Sequence, residues 1–149
     1  MSAFKKCFNI KAKDFIHAGE ASIAVQNMLK QLNIASPLIR RVAICGYEGE
    51  MNTVMHGGDG NFCLEINTHQ IVLEISDNGP GIEDIEKAKE KGYSTASDEY
   101  REMGFGAGMG LFNMEKNADQ MIIESELGKG TLVRMVFETG ESDQKQDGA

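Results

Sequence analysis

The sequence predicts an α/β fold: a two-layer sandwich with helices on one face of a mixed, mostly antiparallel sheet. Three observations carry that prediction. Five segments alternate apolar and polar residues as strands do, and four of them form two closely spaced pairs. Two longer segments, ahead of the first pair, carry apolar residues at helical spacing. The chain of 149 residues is long enough for one compact core.

Each element has its own reason. Phe4 to Ile10 alternates, with Phe4, Lys6, Phe8 and Ile10 on one face. Between His17 and Leu32, the positions Ala21, Ala24, Val25, Met28, Leu29 and Leu32 follow a helical period, and Asp14 suits the N-cap. Asn33 ends that helix. Ser36-Pro37 then opens a second, which runs from about Pro37 to about His56 and stops at Gly57-Gly58-Asp59-Gly60. Phe62, Leu64 and Ile66, then Ile71, Leu73 and Ile75, make a hairpin around Thr68 to Gln70. Helices are expected from about Ile82 to Lys91 and from about Met109 to Ala118. Strands from about Gln120 to Glu126 and Thr131 to Glu138 flank Gly128-Lys129-Gly130. No repeat or internal boundary interrupts residues 1–138, which read as one domain. The acidic tail, residues 139–149, lacks a hydrophobic pattern and is expected to be disordered.

Composition excludes several function classes. An apolar fraction of 41% and a charged fraction of 26% suit a folded soluble protein. A net charge of −8 repels a phosphate backbone and an anionic membrane, so neither nucleic acid nor membrane is an expected partner. Nucleotide phosphates remain admissible, because backbone N–H groups and a metal ion hold them without a basic patch. No run approaches the roughly 18 apolar residues of a membrane helix, and no secretory signal opens the chain. Cys7, Cys45 and Cys63 form no C-x-x-C pair. Free thiols in a reducing cytoplasm are the expectation.

Three clusters have chemical potential. Glu48 and Asn52 lie four apart on the second helix, hence one turn apart on one face, and His56 continues the row. A carboxylate can orient or deprotonate a nucleophile, and an amide oxygen is a hard ligand for Mg²⁺; the same spacing also describes an ordinary solvated face. Asp77-Asn78-Gly79-Pro80-Gly81-Ile82 follows a strand. Asp77 can accept from an exocyclic amine such as adenine's, while Gly79 and Gly81 allow close backbone approach; a plain turn has the same composition. Gly104-Phe105-Gly106-Ala107-Gly108-Met109-Gly110-Leu111 leads into a helix and can expose N–H groups to phosphate. It does not fit the P-loop, and no βαβ unit frames it as a dinucleotide site.

Their order is more specific than any one of them. A helix with Glu-x-x-x-Asn, a strand ending in Asp-x-Gly-x-Gly, a variable segment, a glycine-rich helix start and Gly-x-Gly-Thr between strands resembles the GHKL ATPase superfamily, which includes DNA gyrase and histidine kinases. The motifs span about Arg41 to Val133. Within the superfamily, Asn52-Thr53-Val54-Met55-His56-Gly57 and Lys91-Gly92-Tyr93-Ser94-Thr95-Ala96 are similar to the small anti-sigma-factor serine/threonine kinases and their switch-kinase relatives.

That resemblance implies an ATP-binding sandwich using ATP and Mg²⁺. It implies that Glu48 is the base orienting the attacking hydroxyl and that Asn52 holds Mg²⁺. Asp77 would read the adenine amine, with Gly81 supporting the base pocket, Gly79 among the nucleotide-binding residues and Thr131 beside Asp77. Gly106, Gly108 and Gly110 would wrap the phosphates. Lys129 could add charge at the rim, although a solvated turn lysine suits it as well. Gly49, a poor helix former after Glu48, and the second acid Glu50 depart from the pattern. A distortion at Gly46 or Gly49 would put the base assignment in question; otherwise Glu50 should point away from Asn52. His56 has a structural reading alongside a catalytic one, and Met103, Met109 and Met114 read as packing residues.

The resemblance implies a cytoplasmic kinase transferring the γ-phosphate to a protein of the sigma-factor or anti-sigma-antagonist type. The alternative is a non-catalytic, nucleotide-gated binding module that regulates a sigma factor or an enzyme-associated partner. A detached histidine-kinase domain fits less well, because nothing resembles its hydrophobic lid box. The partner's identity and the oligomeric state, a homodimer included, stay open.

Overall fold

The computed structural model describes residues 4–56, 58–90 and 110–140. Its elements run β1 (Phe4–Ile10), α1 (Glu20–Gln31), α2 (Ser36–His56), β2 (Gly60–Ile66), β3 (Gln70–Asp77), α3 (Ile85–Ala88), α4 (Gly110–Asn117), β4 (Gln120–Glu126) and β5 (Gly130–Glu138). The strands form one sheet in the order β1-β2-β3-β5-β4. All four pairings are antiparallel, so the mixed component of the expected sheet is absent among the described residues.

Alternation sorts the central strands. Phe62 and Leu64 of β2, Ile71, Leu73 and Ile75 of β3, and Val133, Met135 and Phe137 of β5 turn inward. They meet Val25 and Leu29 of α1, Val42, Cys45 and Val54 of α2, and Leu111 and Met114 of α4. Burying a large apolar side chain of this kind contributes about 1.5–3 kcal/mol. Met114 is thus a packing residue, as expected.

Helix α2 runs unbroken for 21 residues through both of its interior glycines. Its packing explains Gly49: a Cβ there would lie 2.3 Å from Ile75 Cδ1. At Gly46 the same atom would come within 3.1 Å of the Phe62 ring. With no side chain at Gly49, the helix sits close on Ile75 of the sheet.

Several boundaries differ from expectation. Helix α1 begins at Glu20, with Gly19 as its N-cap in a left-handed conformation. Asp14 instead closes a turn by accepting from the His17 N–H at 3.2 Å. Asn33 does end the helix, in the left-handed conformation that asparagine tolerates. Helix α3 is a single turn capped by Asp84, shorter than Ile82 to Lys91. Thr139, expected to open a loose tail, is buried and donates to the Thr68 carbonyl at 3.1 Å. The rest of the predicted tail from residue 141 lies outside the described residues.

The cysteine expectation is corrected. Cys7 and Cys63 stand opposite each other in the β1–β2 register, with Cα atoms 4.1 Å apart, and form a disulfide. Their separation of 56 residues in sequence hides a direct cross-strand contact. Cys45 is the free thiol among the described residues. Burial is the main cause that pushes its pKa up to about 12, so it stays protonated and unreactive at neutral pH. Among the described residues no helix is long and apolar enough to cross a membrane.

Candidate functional site

The candidate site lies at one end of α2, where the helix meets both α4 and the end of β3. Arg41, Cys45, Glu48 and Asn52 form one stripe along α2, at intervals of four, three and four residues. That stripe packs against α4 running the other way. Arg41 Nε donates to the Asn117 carbonyl at 2.8 Å, placing a cation at the negative end of α4, and Arg41 Nη2 reaches Asp119 Oδ1 at 2.9 Å. The Cys45 thiol reaches the Met114 carbonyl at 3.6 Å. Glu48 Oε2 accepts from Asn113 Nδ2 at 2.9 Å. At the far end, a Cβ on Gly110 would lie 3.0 and 3.1 Å from the Asn52 amide nitrogen and oxygen.

This seam unites Glu48, Asn52 and Gly110, which lie up to 62 residues apart in sequence. Glu48 and Asn52 are both half-buried, so the plain solvated-face reading does not hold. Gly106 and Gly108, and the segment Lys91 to Ala96, lie outside the described residues.

The neighbouring acid has a different task. Glu50 is 3% exposed and accepts from the Gly19 N–H at 2.9 Å, the Ala21 N–H at 3.3 Å, the Ser22 N–H at 3.0 Å and the Ser22 hydroxyl at 2.7 Å. Gly19 has no capping side chain, so Glu50 reaches across from α2 and caps α1. It points away from the Glu48 stripe, as its spacing suggested, yet it is a buried structural residue.

The second part of the site combines close backbone contacts with three short polar side chains, Asp77, Ser125 and Thr131. Asp77 ends β3 and stands opposite Gly60 on one side and Thr131 on the other. Its Oδ1 accepts from the Gly79 N–H at 2.8 Å, which turns the chain back. Gly81 has φ +84°, and a Cβ on it would lie 2.6 Å from the Glu126 carbonyl oxygen. The β4–β5 turn is therefore pressed against residues 77–82. Gly128 N–H donates to the Pro80 carbonyl at 2.8 Å, and Ile82 N–H donates to Ser125 Oγ at 2.7 Å. Ser125 and Thr131 hydroxyls bond to each other at 2.8 Å. Thr131 thus lies beside Asp77, as the resemblance implied. Lys129 pairs with Glu126 at 3.3 Å on the exposed turn.

Helix α2 ties the two parts together. Thr53, next to Asn52, sets its methyl 3.1 Å from where a Cβ on Gly60 would stand, and Gly60 pairs with Asp77. His56, one turn further, has its pKa depressed by burial and by the nearby Lys13 charge. The Lys13 ammonium donates to the Met55 carbonyl beside it. This environment suits a neutral structural histidine.

Sequence reasoning missed Asn113, Ser125 and Ser22. For Asn113 a signal was available: asparagine is a poor helix former, and it sits three residues into a short helix. Ser125 and Ser22 carry no such mark, because their partners come from distant segments.

Known proteins share this fold. Residues 22–141 match the family described as histidine kinase-, DNA gyrase B- and HSP90-like ATPase. An anti-sigma F factor of Clostridium botulinum (strain Eklund 17B) is 36% identical over 121 residues, covering 77% of this chain and 81% of that relative. An anti-sigma F factor of Clostridium acetobutylicum is 33% identical over 120 residues, covering 77% and 80%. In fold, the chain is similar to a protein of the SiaB–SiaC complex from Pseudomonas aeruginosa, with TM-score 0.59, 15% identity and coverage of 89% and 88%. The chain belongs to the family of histidine kinase-, DNA gyrase B- and HSP90-like ATPases.

Proposed function

We propose that this chain is an ATP-binding regulatory serine/threonine kinase of the anti-sigma-factor type, which transfers the γ-phosphate of ATP to a partner protein. The observation that carries the reading is the seam itself: Glu48 and Asn52 one turn apart on α2, with Gly110 against the Asn52 amide. Similarity to anti-sigma F factors over 121 residues supports the partner class.

The residues present suit Mg-ATP. The Asn52 amide oxygen is a hard donor of the kind Mg²⁺ takes, and the bare Cα of Gly110 lets the start of α4 approach it closely. The N-terminus of α4 presents backbone N–H groups at that end of the seam. Asp77 keeps its second carboxylate oxygen for an adenine amine while Oδ1 holds the turn. Bound Mg-ATP supplies the transferable phosphoryl group and the cation that offsets its charge. Glu48 then orients the attacking hydroxyl and takes its proton. Asn52 fixes the cation, and the Asp77 loop fixes the base. Gly106 and Gly108 complete the phosphate wrap in this proposal.

The cytoplasm, where sigma factors work, is the proposed location. This placement rests on the relatives and not on free thiols, since Cys7 and Cys63 are joined.

The test is a transfer assay with labelled ATP and the proteins encoded beside the gene. Glu48→Gln keeps size and hydrogen bonding but removes the carboxylate. It is expected to lower transfer by about 10² or more and leave ATP affinity within a few-fold. Asn52→Ala should instead weaken Mg-ATP binding itself. Partner binding that responds to ATP without any transfer, with Glu48→Gln behaving as wild type, would make the chain a nucleotide-gated binding module.

A further inference from the structure

We infer that Asn113 is a positioning residue for Glu48: its side-chain amide holds the carboxylate at the working end of the α2–α4 seam and ties it to the glycine-led helix α4. The inference rests on the reading of Glu48 as the base.

The geometry is specific. Asn113 Nδ2 donates to Glu48 Oε2 at 2.9 Å, from the turn of α4 that follows Gly110. Among the described residues no other group donates to Glu48. One carboxylate oxygen is therefore held, and among the described residues the other has no donor. Asn113 is itself held: Asn117 Nδ2 donates to the Asn113 carbonyl at 2.8 Å, and Arg41 grips the Asn117 carbonyl from α2. The chain Arg41–Asn117–Asn113–Glu48 starts and ends on α2, so it sets both the rotation and the axial position of α4 against the base.

The residue type matters. A leucine would fill similar space and suit a helix better, but would leave the carboxylate free to swing. A base that must lie within hydrogen-bond reach of its proton loses rate steeply when it wanders. Partners that orient a functional group in this way, as the hydrogen-bonding neighbours of metal ligands do, typically change activity about 10- to 100-fold when removed.

The full chain and Mg-ATP suffice for the test, with water as the acceptor. Single-turnover release of phosphate from γ-labelled ATP is followed for wild type, Asn113→Leu, Asn113→Gln, Glu48→Gln and the double variant Glu48→Gln/Asn113→Leu. Asn113→Leu is expected to slow the step at saturating protein about tenfold, with the half-saturating concentration within about twofold. Asn113→Gln, which keeps an amide donor, should recover most of that loss. The double variant should be no slower than Glu48→Gln, because a carboxylate that is gone needs no orienting. Independently of turnover, the Asn113 side-chain amide protons should exchange slowly in wild type and faster in Glu48→Ala. An Asn113→Leu rate equal to wild type, or its full loss added on top of Glu48→Gln, would overturn the inference. So would amide exchange indifferent to Glu48→Ala, or no release by wild type; transfer to a protein is then decided by the assay above. A wild-type rate in Glu48→Gln would instead sink the base assignment, and this inference with it.

Discussion

The two parts of the site are built from different materials. On the α2–α4 seam, side chains make the contacts: Arg41, Glu48, Asn52 and Asn113 reach between helices. At the end of β3, backbone meets backbone, with Gly81 against Glu126 and Gly128 bonded to Pro80. A seam of side chains can be altered one function at a time. A contact made by bare backbone has no spare atoms, so any added side chain strikes the fold first.

The largest effect is expected at Gly81. Alanine there must adopt φ +84° and place Cβ 2.6 Å from the Glu126 carbonyl oxygen. Gly81→Ala should cost about 3 kcal/mol in urea-unfolding stability, from strain plus the clash. Stability within about 0.5 kcal/mol of wild type would show that the turn yields and that the contrast is false.

Glu50 gives the next effect, of a different kind. Glu50→Gln puts an amide donor where four N–H and O–H groups already donate. A loss of about 1–3 kcal/mol is expected, with phosphoryl transfer per folded molecule unchanged. A transfer defect at unchanged stability would instead move Glu50 into the catalytic part.

The smallest effect is a pH dependence. His56 has a depressed native pKa because burial and Lys13 disfavour its charged form. The unfolded chain takes up that proton near its ordinary pKa of about 6.5. Stability from this group is therefore full above about pH 6.5 and falls as the pH drops toward the native value. His17 acts oppositely: its hydrogen bond to Asp14 raises its pKa, so its contribution is present at low pH and lost as pH rises. His17 is exposed and its pairing is weakened by solvent. Unfolding by urea at about pH 5.5 and 7.5 should show wild type losing more stability on acidification than His56→Gln. Identical pH dependence in the two would remove His56 from this account.

Much of the fold was legible in the sequence because it rests on periodicity. The β1 and β4 ranges matched, and β2, β3, β5 and α2 differed by one or two residues, since alternation and helical spacing are local properties. Helix starts were less legible. Asp14 has the right chemistry for a cap, but the α1 cap comes from Glu50, 31 residues away from Gly19.

Residue types at each motif, and their order, are properties of the chain alone. Glu48 and Asn52 share a face because a helix repeats every 3.6 residues, and Asp77 ends a strand because glycines follow it. Only the tertiary structure decided what those residues meet. Register set Cys7 against Cys63, packing set Gly49 against Ile75 of the sheet, and the antiparallel seam gave Glu48 its partner in Asn113. The physical reason is range. Backbone periodicity acts over a few residues, whereas a hydrogen bond or a close contact is set by the joint placement of segments that the sequence keeps far apart.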